Sequence, residues 1–206
     1  MDEVVGLFPT PFLIVGKLLD GGLVASCLED ALQSRKAANA QTGLLSHSEP
    51  VNPQTKPAYA QIARLIAPKL VEFGAVLFGE RLAWTVKEMW VNVLETGGHQ
   101  LIHTHANSFI SGVIYLTPSH PSARTVFHKN IGGTNFIFRH AGPNVQMGPF
   151  NADKWQMPEV EPGAMVLFPS YLLHEAPVNK GGQRVTIAFN AIPNSLDSWG
   201  YRVNFA

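Results

Sequence analysis

The spacing of hydrophobic positions changes part-way along the chain. Between residues 22 and 38, Val24, Leu28, Ala31 and Leu32 recur at three- and four-residue intervals, which gathers apolar side chains on one face of a helix. Asp20, just ahead, suits an N-terminal cap. A second helix is predicted over 57–78. Pro57 fits its first position, and Ile62, Leu65, Ile66, Leu70 and Phe73 form its stripe. Pro68 falls inside that stripe and is expected to kink the helix or end its first half, because proline has no backbone donor. The stretch 39–56, rich in Asn, Ser, Thr and Pro, reads as a loop. Residues 3–15, broken by Pro9 and Pro11, read as short extended segments.

After residue 83 the runs shorten. WTVKEMWVNVL (84–94), QLIHTH (100–105), FISGVIYL (109–116), ARTVFH (123–128), AMVLF (164–168) and RVTIAFNAI (184–192) follow one another, separated by Gly, Pro and Asn. Such β-branched runs at close intervals predict an antiparallel sandwich or barrel. The expected organisation is a single domain over 1–206. Residues 1–82 form a mostly helical cover and loop, and 83–206 a β core.

Composition narrows the function. With 46% hydrophobic and 15% charged residues the chain can build a sizeable core, and extended disorder is excluded. Lys+Arg and Asp+Glu each number 15, and the zero net charge argues against a broad nucleic-acid footprint or a basic membrane patch. No apolar run approaches the roughly 18 residues of a membrane span. Met1-Asp2-Glu3 lacks a basic signal-peptide region. The lone Cys27 sits in an apolar helical pattern and reads as core. These features predict a cytoplasmic protein without nucleic-acid or membrane partners; a homodimer is compatible with them.

Candidate chemistry lies in the histidines. His103-Thr104-His105 ends an apolar run, and residues i and i+2 of a strand share a face, so both imidazoles can reach one ion. Imidazole suits Fe, Zn, Cu and Ni. His99 and His103 have the spacing of the helical zinc-protease motif, but Gln100 stands where its general-base Glu belongs, and Gly97-Gly98 opposes a helix. A third histidine appears in GAMVLFPSYLLHEAPVNKGGQRVTIAFN (163–190), where a strand, a Pro-Ser turn and a second strand end at His174. Arg184 opens the final strand. Three protein ligands leave metal positions open for small molecules, and the guanidinium fork matches a carboxylate.

This pattern resembles the 2-oxoglutarate/Fe(II) dioxygenase superfamily, in a bacterial and phage branch related to the prolyl hydroxylases. The segments carrying the resemblance are HTHANSFISGVIYL (103–116), LFPSYLLHEAPVN (167–179) and RVTIAFN (184–190), with LFPTPF (7–12) and WVN (90–92). It covers most of the chain. The fold it implies is mainly β: a double-stranded β-helix (jelly roll, cupin-like) with N-terminal supporting helices. It implies Fe(II) on His103, His105 and His174, with Arg184 on the C5 carboxylate of 2-oxoglutarate and the Tyr115 hydroxyl beside it. Thr186, on the Arg184 face, and Asn92, on the strand before the metal strand, are further candidates for that co-substrate. The implied reaction decarboxylates 2-oxoglutarate to succinate and hydroxylates a small-molecule or peptide substrate, with ascorbate as a supporting reductant.

One departure stands out. The family places an acid two residues after the first histidine, and here that residue is His105. A second register therefore stays open, with His105 as first ligand, Asn107 or water in the carboxylate's place, and His103 outside. Two rival readings also remain. Gly97 ahead of His103 and His105 matches a cupin, although Phe109 and Ile110 replace its usual Glu and Arg184 has no role in it. The other rival is a non-catalytic metal- or ligand-binding barrel. The segments 39–56 and 129–158 are the expected pocket lips, with Trp155, Phe150 and Met147 as candidate lining.

Overall fold

The computed structural model describes residues 2–33, 37–38, 44–53, 55–130, 140 and 142–205. In chain order the elements are β1 (Leu13–Val15), α1 (Gly21–Gln33), β2 (Ala37–Ala38), β3 (Leu45–His47), α2 (Pro57–Phe78), β4 (Trp84–Leu94), β5 (Gln100–His103), β6 (Ile110–Tyr115), β7 (Val126–His128), β8 (Lys154–Gln156), β9 (Met165–Pro169), β10 (Leu173–Ala176), β11 (Arg184–Pro193), β12 (Ser195–Ser198) and β13 (Tyr201–Asn204). A seven-stranded antiparallel sheet runs β1-β9-β6-β11-β4-β3-β2, and a four-stranded sheet runs β5-β10-β7-β8. Phe127 and Met157 on the smaller sheet's side pack against Tyr115, Val166 and Phe168 of the larger one. These two facing sheets are the expected double-stranded β-helix.

Asp20 caps α1 by accepting from the Leu23 N–H at 2.8 Å. Leu23, Cys27 and Ala31 are its buried residues. The predicted stripe is rotated by one position, and Leu32 is exposed. The helix also stops sooner than 38. Ala37 and Ala38 pair with His47 and Ser46 instead, so long-range pairing overrides alanine's helix preference. The rest of that predicted helix end, 34–36, lies outside the described residues, as do 39–43 and Gln54 of the predicted loop and 131–139 and Ala141 of the predicted lip. Within the loop, Leu45–His47 is a strand paired with β4.

α2 has the predicted bounds. Pro57 stands at its start, and Gly79 ends it in a left-handed conformation with its N–H on the Ala75 carbonyl. It runs continuously through Pro68. Ile62, Ile66, Leu70 and Phe73 are buried against the larger sheet, each contributing roughly 1.5–3 kcal/mol. No helix among the described residues is long and apolar enough to cross a membrane.

The larger sheet has two different faces because strand side chains alternate. Met89, Val91, Val93, Ile187 and Phe189 face the helices. The other face meets the smaller sheet and carries polar residues in rows set by the register. Leu94 pairs with Arg184, Asn92 with Thr186 and Tyr115, Trp90 with Ala188 and Val113, and Glu88 with Asn190 and Ser111. Gly112 pairs with Phe189, where a Cβ would overlap the Phe189 ring.

Candidate metal centre and carboxylate pocket

His103 and His174 are directly paired across β5 and β10, with ring centroids 4.2 Å apart. His105 reaches them by another route than strand alternation. β5 ends at His103, and the chain past it is held by the His105 N–H on the Ser170 carbonyl at 3.0 Å. The His105 ring stacks on His174 with Nε2 atoms 3.2 Å apart. One ligand atom from each of the three rings lies within 4.8 Å of the others. Asn107 is exposed and turns the chain with φ 57°, so it does not continue the strand face as expected.

The environment keeps these rings neutral. Burial pulls His174 down to about 3 and His105 to about 4, and lowers His103 as well, while the neighbouring His103 pushes the first two in the same direction. Nδ1 of His174 donates to the Leu172 carbonyl and Nδ1 of His103 to that of Leu101, each at 2.8 Å. Both rings thereby present a lone pair on Nε2, the form a metal requires. His105 differs. Its Nδ1 lies 3.2 Å from the Asn190 amide nitrogen, which also donates to Glu88 Oε1 at 2.7 Å, while Ser111 donates to the Asn190 oxygen at 2.8 Å. Metal on His105 Nε2 calls for the proton on Nδ1 and the Asn190 amide turned over.

Arg184 lies on the same sheet face and is 6% exposed. Its Nε donates to Ser119 Oγ at 3.1 Å and a terminal nitrogen to Thr125 Oγ1 at 3.3 Å. The guanidinium sits over the Tyr115 ring, 5.5 Å from its centroid. Among the described residues it has no carboxylate partner. Burial lowers its pKa, and the Tyr115 hydroxyl opposes that shift. That hydroxyl is sealed from solvent without a hydrogen-bond partner of good geometry. A buried cation beside an unpaired hydroxyl is a fitting receptor for an anion. Thr186 is buried one row along, between Tyr115 and Asn92, and Asn92 accepts from Trp90 Nε1 at 3.1 Å. The predicted co-substrate residues thus form one patch, in which Asn92 already has a partner.

An open cavity of about 350 Å³ lies against His105, lined chiefly by His47, Glu88, Trp90, Thr104 and Asn190. The 39–56 segment expected as a lip does supply His47, but sequence reasoning singled out none of these side chains. Glu88 and Trp90 were findable, since they alternate with Asn92 along β4; His47 was not, because its position depends on β3 pairing. Trp155, Phe150 and Met147 are exposed and do not line this cavity, and Trp155 packs on Phe12 and Phe127. Glu175 points away from the cluster, onto His128 Nε2 at 2.9 Å.

Three imidazoles gathered at one point of a double-stranded β-helix could hold a single metal ion. The chain belongs to the 2-oxoglutarate/Fe(II) oxygenase family, and so to the oxidoreductases: a family model described as "Putative 2OG-Fe(II) oxygenase" matches residues 88–190, half of the chain. Solved structures share the fold. HygX from Streptomyces hygroscopicus, crystallised with nickel and 2-oxoglutarate, is 16% identical over 92% of this chain and 87% of its own, with a TM-score of 0.64. The non-heme alpha-ketoglutarate-dependent epimerase SnoN from nogalamycin biosynthesis is 12% identical over 90% and 80%, also at 0.64. A Pseudomonas putida prolyl-4-hydroxylase is 14% identical over 89% and 93%, at 0.61. No curated protein sequence matches the chain.

Proposed function

We propose that the protein uses Fe(II) and 2-oxoglutarate to hydroxylate a small-molecule or peptide substrate, with His103, His105 and His174 as metal ligands and Arg184 as the co-substrate anchor. The carrying observation is the buried Arg184 without an acidic partner, on the same sheet face as the residues packed around the histidine cluster. A cupin gives that cation no task. The donor set fits iron, since neutral imidazole is a ligand for Fe(II) and three such ligands leave positions open. The three-histidine register is supported by the 4.8 Å grouping, which includes His103.

Bound iron, with 2-oxoglutarate and dioxygen, supplies the oxidation: one oxygen atom goes to the substrate C–H and the other to succinate, with release of carbon dioxide. The chain's own residues bind and orient. Arg184 and the Tyr115 hydroxyl hold the far carboxylate, with Thr186 beside them. Leu101 and Leu172 carbonyls fix two imidazoles in the ligand tautomer. Val166 and Phe168 keep the space between the sheets dry. Ascorbate is expected to sustain turnover by keeping iron reduced.

Anaerobic titration of the Fe(II)-loaded protein with 2-oxoglutarate tests the reading. The expected result is the weak visible charge-transfer band of the chelate, followed by slow succinate release in air. No 2-oxoglutarate binding by calorimetry would overturn it, in favour of a cupin-type metalloenzyme if metal still binds catalytically, or a plain binding barrel otherwise.

A further inference from the structure

We propose that the cavity beside His105 receives the prime substrate through a cationic nitrogen, a primary ammonium seated between the Glu88 carboxylate and the Trp90 indole. This rests on the oxygenase reading for what happens next, but not for the binding itself.

The sheet register separates two charges. Arg184 stands at one end of the polar face of β11 and Asn190, paired with Glu88, at the other. Six residues of strand span ~20 Å. Trp90 lies between them, and its ring centroid is 5.8 Å from that of His105. The Arg184 end fits an anion. The Glu88 end carries the opposite sign and opens into the cavity.

Among the described residues that line the cavity, Glu88 is the sole acid. In the metal-free protein the carboxylate is oriented in advance, since Asn190 donates to its Oε1. Lys87 approaches the same oxygen only to 3.7 Å and is solvated, so an ammonium can compete with it. The Trp90 indole is fixed as well, by its N–H on Asn92, and it offers the aromatic face that binds cations best. Anion, aromatic face and access to the metal-side imidazole meet in one cavity of about 350 Å³, room for a small amine or the tip of a lysine-like side chain.

The test uses the full chain, metal-free and Zn(II)-loaded, and three matched probes: benzylamine, benzyl alcohol and benzoate. The readout is the Trp90 indole N–H resonance, assigned with Trp90→Phe. Benzylamine is expected to shift it saturably, at least about fivefold more tightly than either other probe, and more weakly as salt rises. Glu88→Gln keeps an oxygen for Asn190 and removes the charge, so it should fold and lose that preference. Equal binding of benzyl alcohol or benzoate, an unchanged benzylamine affinity in Glu88→Gln, or no shift with any probe would each overturn the proposal. Failure of the oxygenase reading shows up separately, as absent 2-oxoglutarate binding with the benzylamine titration intact.

Discussion

Arg184→Met is the sharpest perturbation of the site. Methionine keeps much of the apolar stem that packs between the sheets and removes only the charged fork. Arg184 is 6% exposed, and its two protein acceptors, the Ser119 and Thr125 hydroxyls, satisfy donors without neutralising charge. A carboxylate docking there meets a desolvated partner, and truncating one member of such a pair costs on the order of 2–5 kcal/mol. That converts to roughly 30-fold or more in 2-oxoglutarate affinity. The same reasoning gives an opposite sign for stability. Without an anion the buried charge is itself a burden, so the Met variant should unfold no more easily than the parent when 2-oxoglutarate is absent. Arg184→Lys should recover only part of the affinity, because a point charge lacks the planar fork. Calorimetry on Zn(II)-loaded protein measures the first effect and thermal unfolding the second, with zinc affinity as the check on the histidines. A Met variant that binds 2-oxoglutarate as the parent does, or that melts like a core-cavity mutant, would refute the argument.

His103→Ala, His105→Ala and His174→Ala should each weaken metal by at least the ~10–100-fold typical of disturbing a metal site's support, read by chelator competition; an iron-loaded His103→Ala with undiminished turnover would instead favour the register with Asn107 or water. Burial holds His105 and His174 below the unfolded value near 6.5, so the folded state refuses protons that the unfolded chain accepts. Metal-free stability should therefore be intact above about pH 6.5 and fall, on the order of a few kcal/mol, as pH drops toward the folded values, with Zn(II) delaying the loss; a flat melting temperature from pH 7 to 4 would contradict this. Gly112→Ala drives a methyl into the Phe189 ring and should cost about 1–3 kcal/mol in urea unfolding without touching the metal ligands.

Much of this fold is legible because its longest elements carry their own signals. The run read as 84–94 is β4 to the residue, and 57–78 is α2, since each has an uninterrupted period and clear end signals. β2 and β3 have two and three residues and no local pattern; they exist because β4 offers an unpaired edge. The hairpin β12–β13 escaped notice because its two-residue turn, Trp199 at φ 54° and Gly200 at φ 83°, has Trp where Asn or Asp usually signals such a connection. In the site, H-x-H drew attention to His103 and His105 by alternation, yet β5 ends between them. The rings meet because Ser170 catches the His105 backbone, a contact 65 residues away in sequence that no local reading contains.

The Ser170 contact also shapes how the cluster stands without the family's usual acid. In a straight strand, residue i+2 beside the first ligand points at the metal, and an acid there gives the site an anionic ligand. In this chain the strand stops, and His105 arrives stacked on His174 with no carboxylate in the grouped set. The nearest acid on the same sheet face is Glu88, linked to His105 through the Asn190 amide. Neutral imidazoles leave all the charge of a bound divalent ion to be met by the co-substrate and by more distant groups. A dicarboxylate anchored at Arg184, as proposed, would meet it from one side. Glu88, which lines the cavity, would meet it from the other. Moving the negative charge off the ligand set places it where an incoming substrate can sense it, which links the unusual His105 to the polarity of the pocket beside it.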